Sequence, residues 1–314
     1  MNFQQLRTVC ETARQGFSLT KVAAALHTSQ PGISRQIREL EDELNIEIFE
    51  RSGKRLTRLT QPGAAVLPII ERILRDVQNL RHAAQDFAGR DVGQMTIAAT
   101  HAQARYALPA AVHDFRALYP QVTLNLHQGS PRQVAQMLID GEADIGIATE
   151  ALAQYGQLIT LPCYRWTHCV IAPLGHELLD GAPLTLERLA RHPIVTYDAG
   201  YTGRARIDEA FALVGQKPQI VISAMDADVI KTYVELGLGV GIVSSLAYDE
   251  MRDRGLRALD AGHLFEGSLT RLAIRRGTLL RAYVLSFIET FAPSLTPSVV
   301  RQALTSDSPI QAEV

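Results

Sequence analysis

Thr100, Thr149 and Thr202 share a setting: each follows an apolar run by no more than a few residues and stands where a helix is about to begin. Gln103 lies one turn beyond the first of them. In sheets built from alternating strands and helices, ligands collect outside the strand C-termini, where helix starts offer unpaired N–H groups to an anion. Hydroxyl and carboxamide donors converging there hold an oxyanion without a buried cation. His101, Ala102, Glu150 and Gly203 flank these positions, and Ser130 opens a further helix start in Gly-Ser-Pro. Trp166, the one tryptophan, either walls the same space or packs in the core. A threonine before a helix is also an ordinary N-cap. The coincidence of three is what points to a ligand, small and negatively charged or acylated.

A second set of residues is suited to a polyanion. In HTSQPGISRQIREL (His27–Leu40), Thr28 or Ser29 is the cap, and Pro31 falls in the first turn, where a missing N–H had no helical partner. Ile33, Ile37, Leu40 and Leu44 form a buried stripe, which turns Gln30, Ser34, Arg35 and Arg38 outward. Arginine grips guanine with two hydrogen bonds, glutamine pairs with adenine, and a bare helix start favours phosphate. The stretch IFERSGKRLTRLT (Ile48–Thr60) reads as a hairpin turning at Ser52 and Gly53, with Arg51, Lys54, Arg55 and Arg58 around its tip to meet a phosphate backbone. The partner these residues imply is double-stranded DNA.

Elements must position both sets. Phe3, Leu6, Cys10 and Ala13 recur at helical spacing, a break follows at Gly16, and Leu19, Val22, Ala23 and Leu26 form a second stripe behind the cap Ser18. With the third helix and the hairpin this is a winged helix-turn-helix over residues 1–60. Val66, Ile70, Ile73, Val77, Leu80, Ala84 and Phe87 then step alternately by 4 and 3, the seam of a linker helix over 61–89 that pairs with a second copy. The competing reading lays that helix on its own chain. Pro68 is an inconsistency that either kinks the rod or marks its start. Gly89–Gly93 reads as the linker. From residue 94 to 292, strands at Met95–Ala99, Val122–Leu126, Ile145–Ala148, Ile194–Tyr197, Ile220–Ser223 and Gly241–Ser244 alternate with amphipathic helices, which implies parallel βαβ units.

At 314 residues, 46% hydrophobic and 20% charged, the chain has the composition of an ordinary globular protein with more than one domain. It opens without a signal-like segment and has no apolar run near the roughly 18 residues that span a bilayer, so a cytoplasmic protein that enters no membrane is expected. The net charge of -2 conceals +3 over residues 1–90 (13 basic, 10 acidic) and -5 over the remainder (18 against 23). Cys10, Cys163 and Cys169 are too few and scattered for a disulfide framework, and Cys163, His168 and Cys169 lack a fourth metal ligand. No catalytic residue, metal or cofactor is assigned: the chain has no G-x-S-x-G and no H-E-x-x-H, and the glycines of GLGVGIV (Gly237–Val243) lead from a helix into a strand, the reverse of a dinucleotide loop.

The stretches TSQPGIS (Thr28–Ser34) and FERSGKRLT (Phe49–Thr57) resemble the LysR-type transcriptional regulators. THAQARYALP (Thr100–Pro109), HQGSP (His127–Pro131), ADIGIATEAL (Ala143–Leu152), LPCYRW (Leu161–Trp166), VTYDAGYTGR (Val195–Arg204) and DADVIKTYVELGLGVGIV (Asp226–Val243) are similar to the CysB-like activators of the cysteine regulon within them. The resemblance implies an α/β chain: the winged helix-turn-helix and long linker helix, then a two-lobed α/β effector domain like a periplasmic binding protein. Lobe I would comprise 93–163 and 268–292, lobe II 164–267 and a C-terminal tail 293–314, with hinges near Leu161–Arg165 and Glu266–Leu269. It places the family's sulphate-contacting motif on Thr100, Gln103, Thr149 and Thr202, with Ala99 and Ala102 standing where the cysteine-regulon activators carry threonine. It further implies sulphate, thiosulphate, O-acetylserine, N-acetylserine or adenosine phosphosulphate as effector, a dimer that assembles into a homotetramer, and contact with RNA polymerase. Two alternatives are a regulator of sulphonate or other sulphur-source use sensing a different effector, and a small-anion solute-binding protein, which would have no use for the DNA-reading head.

Overall fold

Asn2 accepts a hydrogen bond from the Gln5 backbone at 3.0 Å while the Gln5 side chain accepts from Asn2 N at 2.9 Å, so the first helix, α1 (Phe3–Arg14), begins with a reciprocal cap. The computed structural model describes residues 1–53, 55–87 and 91–305 and divides into two units, Met1–Ala88 and Gly89–Val314. In the first unit α1 is followed by α2 (Leu19–Ala25), α3 (Gln30–Leu44) and an antiparallel hairpin of β1 (Phe49–Ser52) and β2 (Arg55–Leu59). Leu6, Val9, Val22, Ile33, Ile37, Leu40, Ile48 and Phe49 close one core. Two expected members, Phe3 and Leu44, are exposed. They lie at helix ends, beyond the partner surface, and on α1 the polar Gln5 and Thr8 are buried instead.

Helix α4 (Gln61–Phe87) runs unbroken through Pro68. Thr60 Oγ1 accepts from Gly63 N at 2.9 Å at its start. A Cβ on Gly63 would lie 2.0 Å from the Ile48 carbonyl oxygen, so only glycine fits where the rod crosses the hairpin base. The expected seam divides in two. Ile70 is buried and Val66 and Ile73 pack on the head's own core, as the competing reading had it; further along, Leu80 is 71% exposed. The side chain of Phe87 and the linker residues Gly89 and Arg90 lie outside the described residues, as does Lys54 in the wing.

The second unit contains two five-stranded sheets. Lobe I is built from β3 (Gly93–Ala99), α5 (Leu108–Leu118), β4 (Val122–Gln128), α6 (Pro131–Asp140), β5 (Ile145–Ala148) and β6 (Leu158–Trp166). Lobe II follows with β7 (His168–Pro173), α7 (Leu186–Leu189), β8 (Pro193–Tyr197), α8 (Thr202–Leu213), β9 (Gln219–Ala224), α9 (Ala227–Glu235), β10 (Val240–Ser244) and β11 (Leu256–Asp260). The chain then returns to lobe I as β12 (Ser268–Arg275), α10 (Ala282–Phe291) and α11 (Pro297–Thr305). Strand orders are β4-β3-β5-β12-β6 and β11-β7-β10-β8-β9.

The expected parallel βαβ units are present, set within mixed sheets. β3, β4 and β5 run parallel, as do β8, β9 and β10, but β12 opposes both its neighbours and β7 opposes β10 and β11. A strand that joins a sheet without a crossover helix has an antiparallel neighbour. β6 stays paired with β12 through Trp166, so the first crossing between lobes is at Thr167, beyond the Leu161–Arg165 expected to hinge; the return lies between Asp260 and Ser268. The C-terminal segment from 293 is more than a tail: Leu295, Val300 and Ala303 are buried in the core of lobe I beside Phe115 and Phe287. Residues 306–314 lie outside the described residues. Gly239 (φ 153°) and Gly241 would collide with Pro193 O of β8 at 2.3 Å and Ile171 of β7 at 2.5 Å if they carried a Cβ, so these glycines chiefly allow close approach to neighbouring strands; the expected helix-to-strand packing is seen only where Gly241 meets Val234 of α9 at 3.0 Å. All three cysteines are free and buried. Among the described residues no helix is long and apolar enough to cross a membrane.

Candidate functional site

The strand ends of the two sheets face each other across a cleft. Thr100 follows β3, Thr149 follows β5 and Thr202 begins α8, and Thr149 Oγ1 and Thr202 Oγ1 stand 2.6 Å apart, one hydroxyl from each lobe. Thr100, Ala102, Gln103, Thr149, Trp166, Thr202 and Gly203 line the cleft, as expected from sequence; Pro131, Tyr197, Tyr201, Met225 and Ser244 complete the lining. Tyr197 and Ser244 end β8 and β10, so the strand-end rule that found the threonines also leads to them. Pro131 opens α6, which adds a second helix start to that of α8. None of the lining residues carries a charge. The donors are hydroxyls, a carboxamide and backbone N–H groups at helix N-termini, a set that stabilises anionic oxygen by dipoles alone.

The carboxamide of Gln103 is oriented from behind. Its Nε2 donates to Thr270 Oγ1 at 3.1 Å and its Oε1 accepts from the Tyr164 hydroxyl, which uses one of its two N–H groups. Gln103 begins a π-helical turn, Gln103–Ala107, a distortion common at functional sites. Two residues further, Arg105 Nε and Tyr106 Oη donate to Asp228 of α9 at 3.1 and 2.8 Å, so the turn that carries a cleft residue also clasps lobe II. Burial opposes ionisation of Asp228, but hydrogen bonds from Tyr106, Lys231 and Arg105 hold its carboxyl below the usual range.

Three expected ligand residues stand outside the lining. Ser130 and Gln133 cap α6 reciprocally at 3.4 and 2.8 Å. His101 Nε2 lies 4.0 Å from Asp228. Glu150 accepts from Leu269 N at 3.0 Å through one oxygen and lies 3.5 Å from Arg206 through the other, tying the return crossing to α8. Behind the cleft His168 is fully buried, and burial pushes its imidazole down to about 4, so it is neutral near pH 7. A Cβ on Gly203 would stand 3.1 Å from His168 Nε2, which explains glycine at the first turn of α8.

On the head, Ser29 accepts from Gly32 N at 3.3 Å, and Gln30, Pro31, Arg35 and Arg38 are exposed on α3 with Ser34 half-buried. The wing differs from four unopposed cations. Arg51 pairs with Glu41 at 2.7 Å, and Glu41 also accepts from the Ile48 and Phe49 backbones at 2.9 and 3.2 Å, so Arg51 anchors the hairpin to α3. Arg58 pairs with Glu50 at 2.8 Å, while Arg55 stands exposed. Arg35 pairs with Glu39 at 2.7 Å, and that bond, with one from Gln5, lowers the Glu39 carboxyl. An exposed ion pair contributes little, so Arg35 can exchange its carboxylate for a base edge at small cost.

Comparison with known proteins gives a match for each of the two units. The bacterial regulatory helix-turn-helix protein, lysR family, matches residues 3–64, and the LysR substrate binding domain matches 88–296. The chain is 55% identical over 300 residues to the HTH-type transcriptional regulator SsuR of Burkholderia cenocepacia, covering 96% of this chain and 97% of that one. It is 51% identical over 308 residues to CysB of the same organism, covering 98% of each. The crystal structure of the cofactor-binding domain of the Cbl transcriptional regulator superposes with a TM-score of 0.65 at 47% identity, covering 68% of this chain and 95% of that one. A helix-turn-helix head followed by a two-sheet α/β effector-binding domain matches these proteins, and the chain belongs to the LysR family of transcriptional regulators.

Proposed function

We propose that this regulator controls genes of sulphur assimilation and cysteine biosynthesis and senses a small oxyanionic or acylated metabolite in the cleft. The supporting observation is the convergence of Thr100, Thr149 and Thr202 from two lobes at helix starts, with no charged side chain in the lining. Sulphate, thiosulphate, O-acetylserine, N-acetylserine and adenosine phosphosulphate are the candidate effectors. The head reads promoter DNA through Ser29, Gln30, Pro31, Ser34, Arg35 and Arg38, with Arg51, Lys54 and Arg55 toward the backbone. Pairing through the exposed part of α4 gives a dimer with two heads, dimers assemble into a tetramer, and the assembly works in the cytoplasm beside RNA polymerase. An effector that binds one lobe arrangement more tightly shifts the population toward it, and the coupling to DNA is reciprocal.

Gel shifts on a cysteine-biosynthesis promoter test the head. Arg35→Ala reduces the preference for promoter over unrelated DNA by about 5- to 150-fold, whereas Arg55→Ala weakens both alike. Equal discrimination after the first change would remove α3 from base reading. Calorimetry with each candidate effector tests the cleft, and a complete lack of binding would refute the sensing role.

A further inference from the structure

The cleft between the lobes is tight. Thr149 and Thr202 share a hydrogen bond across it at 2.6 Å, and the space beside them is about 40 Å³, the scale of one or two waters at roughly 30 Å³ each. A tetrahedral oxyanion, with its central atom and four oxygens, enters when the lobes part and the two hydroxyls exchange each other for the guest. What holds the lobes together therefore sets how fast a ligand comes and goes.

Tyr106 reaches from lobe I into lobe II. It lies on the π-helical turn Gln103–Ala107, between β3 and α5, yet its ring packs against the lobe II cluster that contains Tyr197, Ala227 and Ile230, with Lys231 Nζ 5.2 Å from the ring centroid. Its hydroxyl donates to Asp228 Oδ1 at 2.8 Å, and Arg105 Nε donates to Oδ2 at 3.1 Å. Lys231 Nζ, 3.2 Å from Asp228 Oδ1 and 3.0 Å from the buried Asp253, fixes the carboxylate from its own lobe. A hydroxyl bonded to a carboxylate is stronger than a neutral pair, whereas the half-exposed Arg105 contributes little, so Tyr106 is the principal catch. Gln103 opens the same turn and lines the cleft, so the catch and part of the binding surface move as one piece.

We propose that Tyr106 and Asp228 form a latch that gates the cleft. A ligand enters and leaves only after the Tyr106 hydroxyl releases the Asp228 carboxylate, and relatching returns Gln103 to the cleft wall. Tyr106 stands outside the lining and is a positioning residue rather than a ligand contact. This rests on the reading of the cleft as the effector site and adds the step that controls access to it.

A latch closes alike over the free and the filled cleft, so weakening it raises both rate constants and leaves the affinity nearly constant. Stopped-flow fluorescence of Trp166, the one tryptophan and part of the lining, follows sulphate binding to the full chain. Tyr106→Phe, which keeps the ring and its packing, speeds association and dissociation about ten-fold each and leaves the Kd within two-fold; Asp228→Asn does likewise. Unchanged rates, or a Kd weakened about ten-fold at a constant association rate, overturn the latch while the effector reading stands. Amide exchange of the ligand-free full chain, read by mass spectrometry, tests the latch without any ligand. The segment Gln103–Ala107 exchanges about ten-fold faster in Tyr106→Phe, while α10 in the core of lobe I is unchanged. If none of the candidate effectors binds, the effector reading falls and exchange alone decides: equal rates in the two chains overturn the latch.

Discussion

The outward face of α3 and the cleft between the two sheets both present donors to negatively charged oxygen or electron-rich base edges, and they do so with different chemistry. Gln30, Arg35 and Arg38 are exposed, and two of them carry a full charge that water already solvates. The cleft uses threonine hydroxyls, one carboxamide and the starts of α6 and α8, with no charged side chain in its lining. The difference follows from solvent access. A guanidinium at the surface costs little and can exchange one partner for another, whereas a full charge taken out of water needs a permanent counter-ion. Recognition of a long polyanion therefore relies on counterion release, and recognition of a small guest on fixed dipoles.

Salt separates the two most strongly. Raising it from 50 to 200 mM lowers DNA affinity on the order of a thousand-fold, as expected when several phosphates are neutralised, and changes effector affinity by less than about two-fold. Fluorescence anisotropy with labelled duplex, run beside calorimetry for the effector, measures both. Parallel slopes would break the comparison.

The next effect is on pH and belongs to the effector domain. His168 lies among Trp166, Phe265 and Gly203 with Arg206 nearby, and its imidazole takes a proton only near pH 4, against an ordinary 6.5. The unfolded chain is protonated first on acidification. The neutral ring's stability is therefore complete above 6.5 and is lost as pH falls toward 4, by roughly 3 kcal/mol in all. Calorimetric melting between pH 7 and 4.5 shows this loss, and His168→Phe flattens it. An unchanged pH profile in that variant would assign the acid sensitivity to other groups.

The smallest effect sharpens the contrast within the cleft. Thr202→Val keeps the shape and removes a hydroxyl, so oxyanion affinity falls about ten-fold while DNA affinity without effector stays within two-fold. A loss of DNA binding in that variant would mean that the hydroxyl pair with Thr149 governs the lobes rather than the ligand.

The parts legible from sequence are those with local rules. Ser29 and Pro31 mark a helix start by chemistry confined to one turn, and the threonines fall at strand ends, a position that alternation of strand and helix already locates. Tyr201 and Met225 also stand at such positions, the N-cap of α8 and one residue past β9, but an aromatic or apolar side chain there reads as core packing rather than as a cleft wall. β6 and β7 were hard to separate because only Thr167 lies between them, although they belong to different sheets. The α4 seam was readable as a stripe, but periodicity says that a stripe is covered and not by what, and the head took its first half.

Gly63 has a mechanical consequence. Where the rod leaves the hairpin, the Ile48 carbonyl fills the space a side chain would need, and Thr60 bonds the first turn. The joint has no slack, so head and rod swing as one lever. In a pair of such chains, a small change in the angle between rods is magnified at the far end into the distance between two reading helices, which must match one repeat of the duplex.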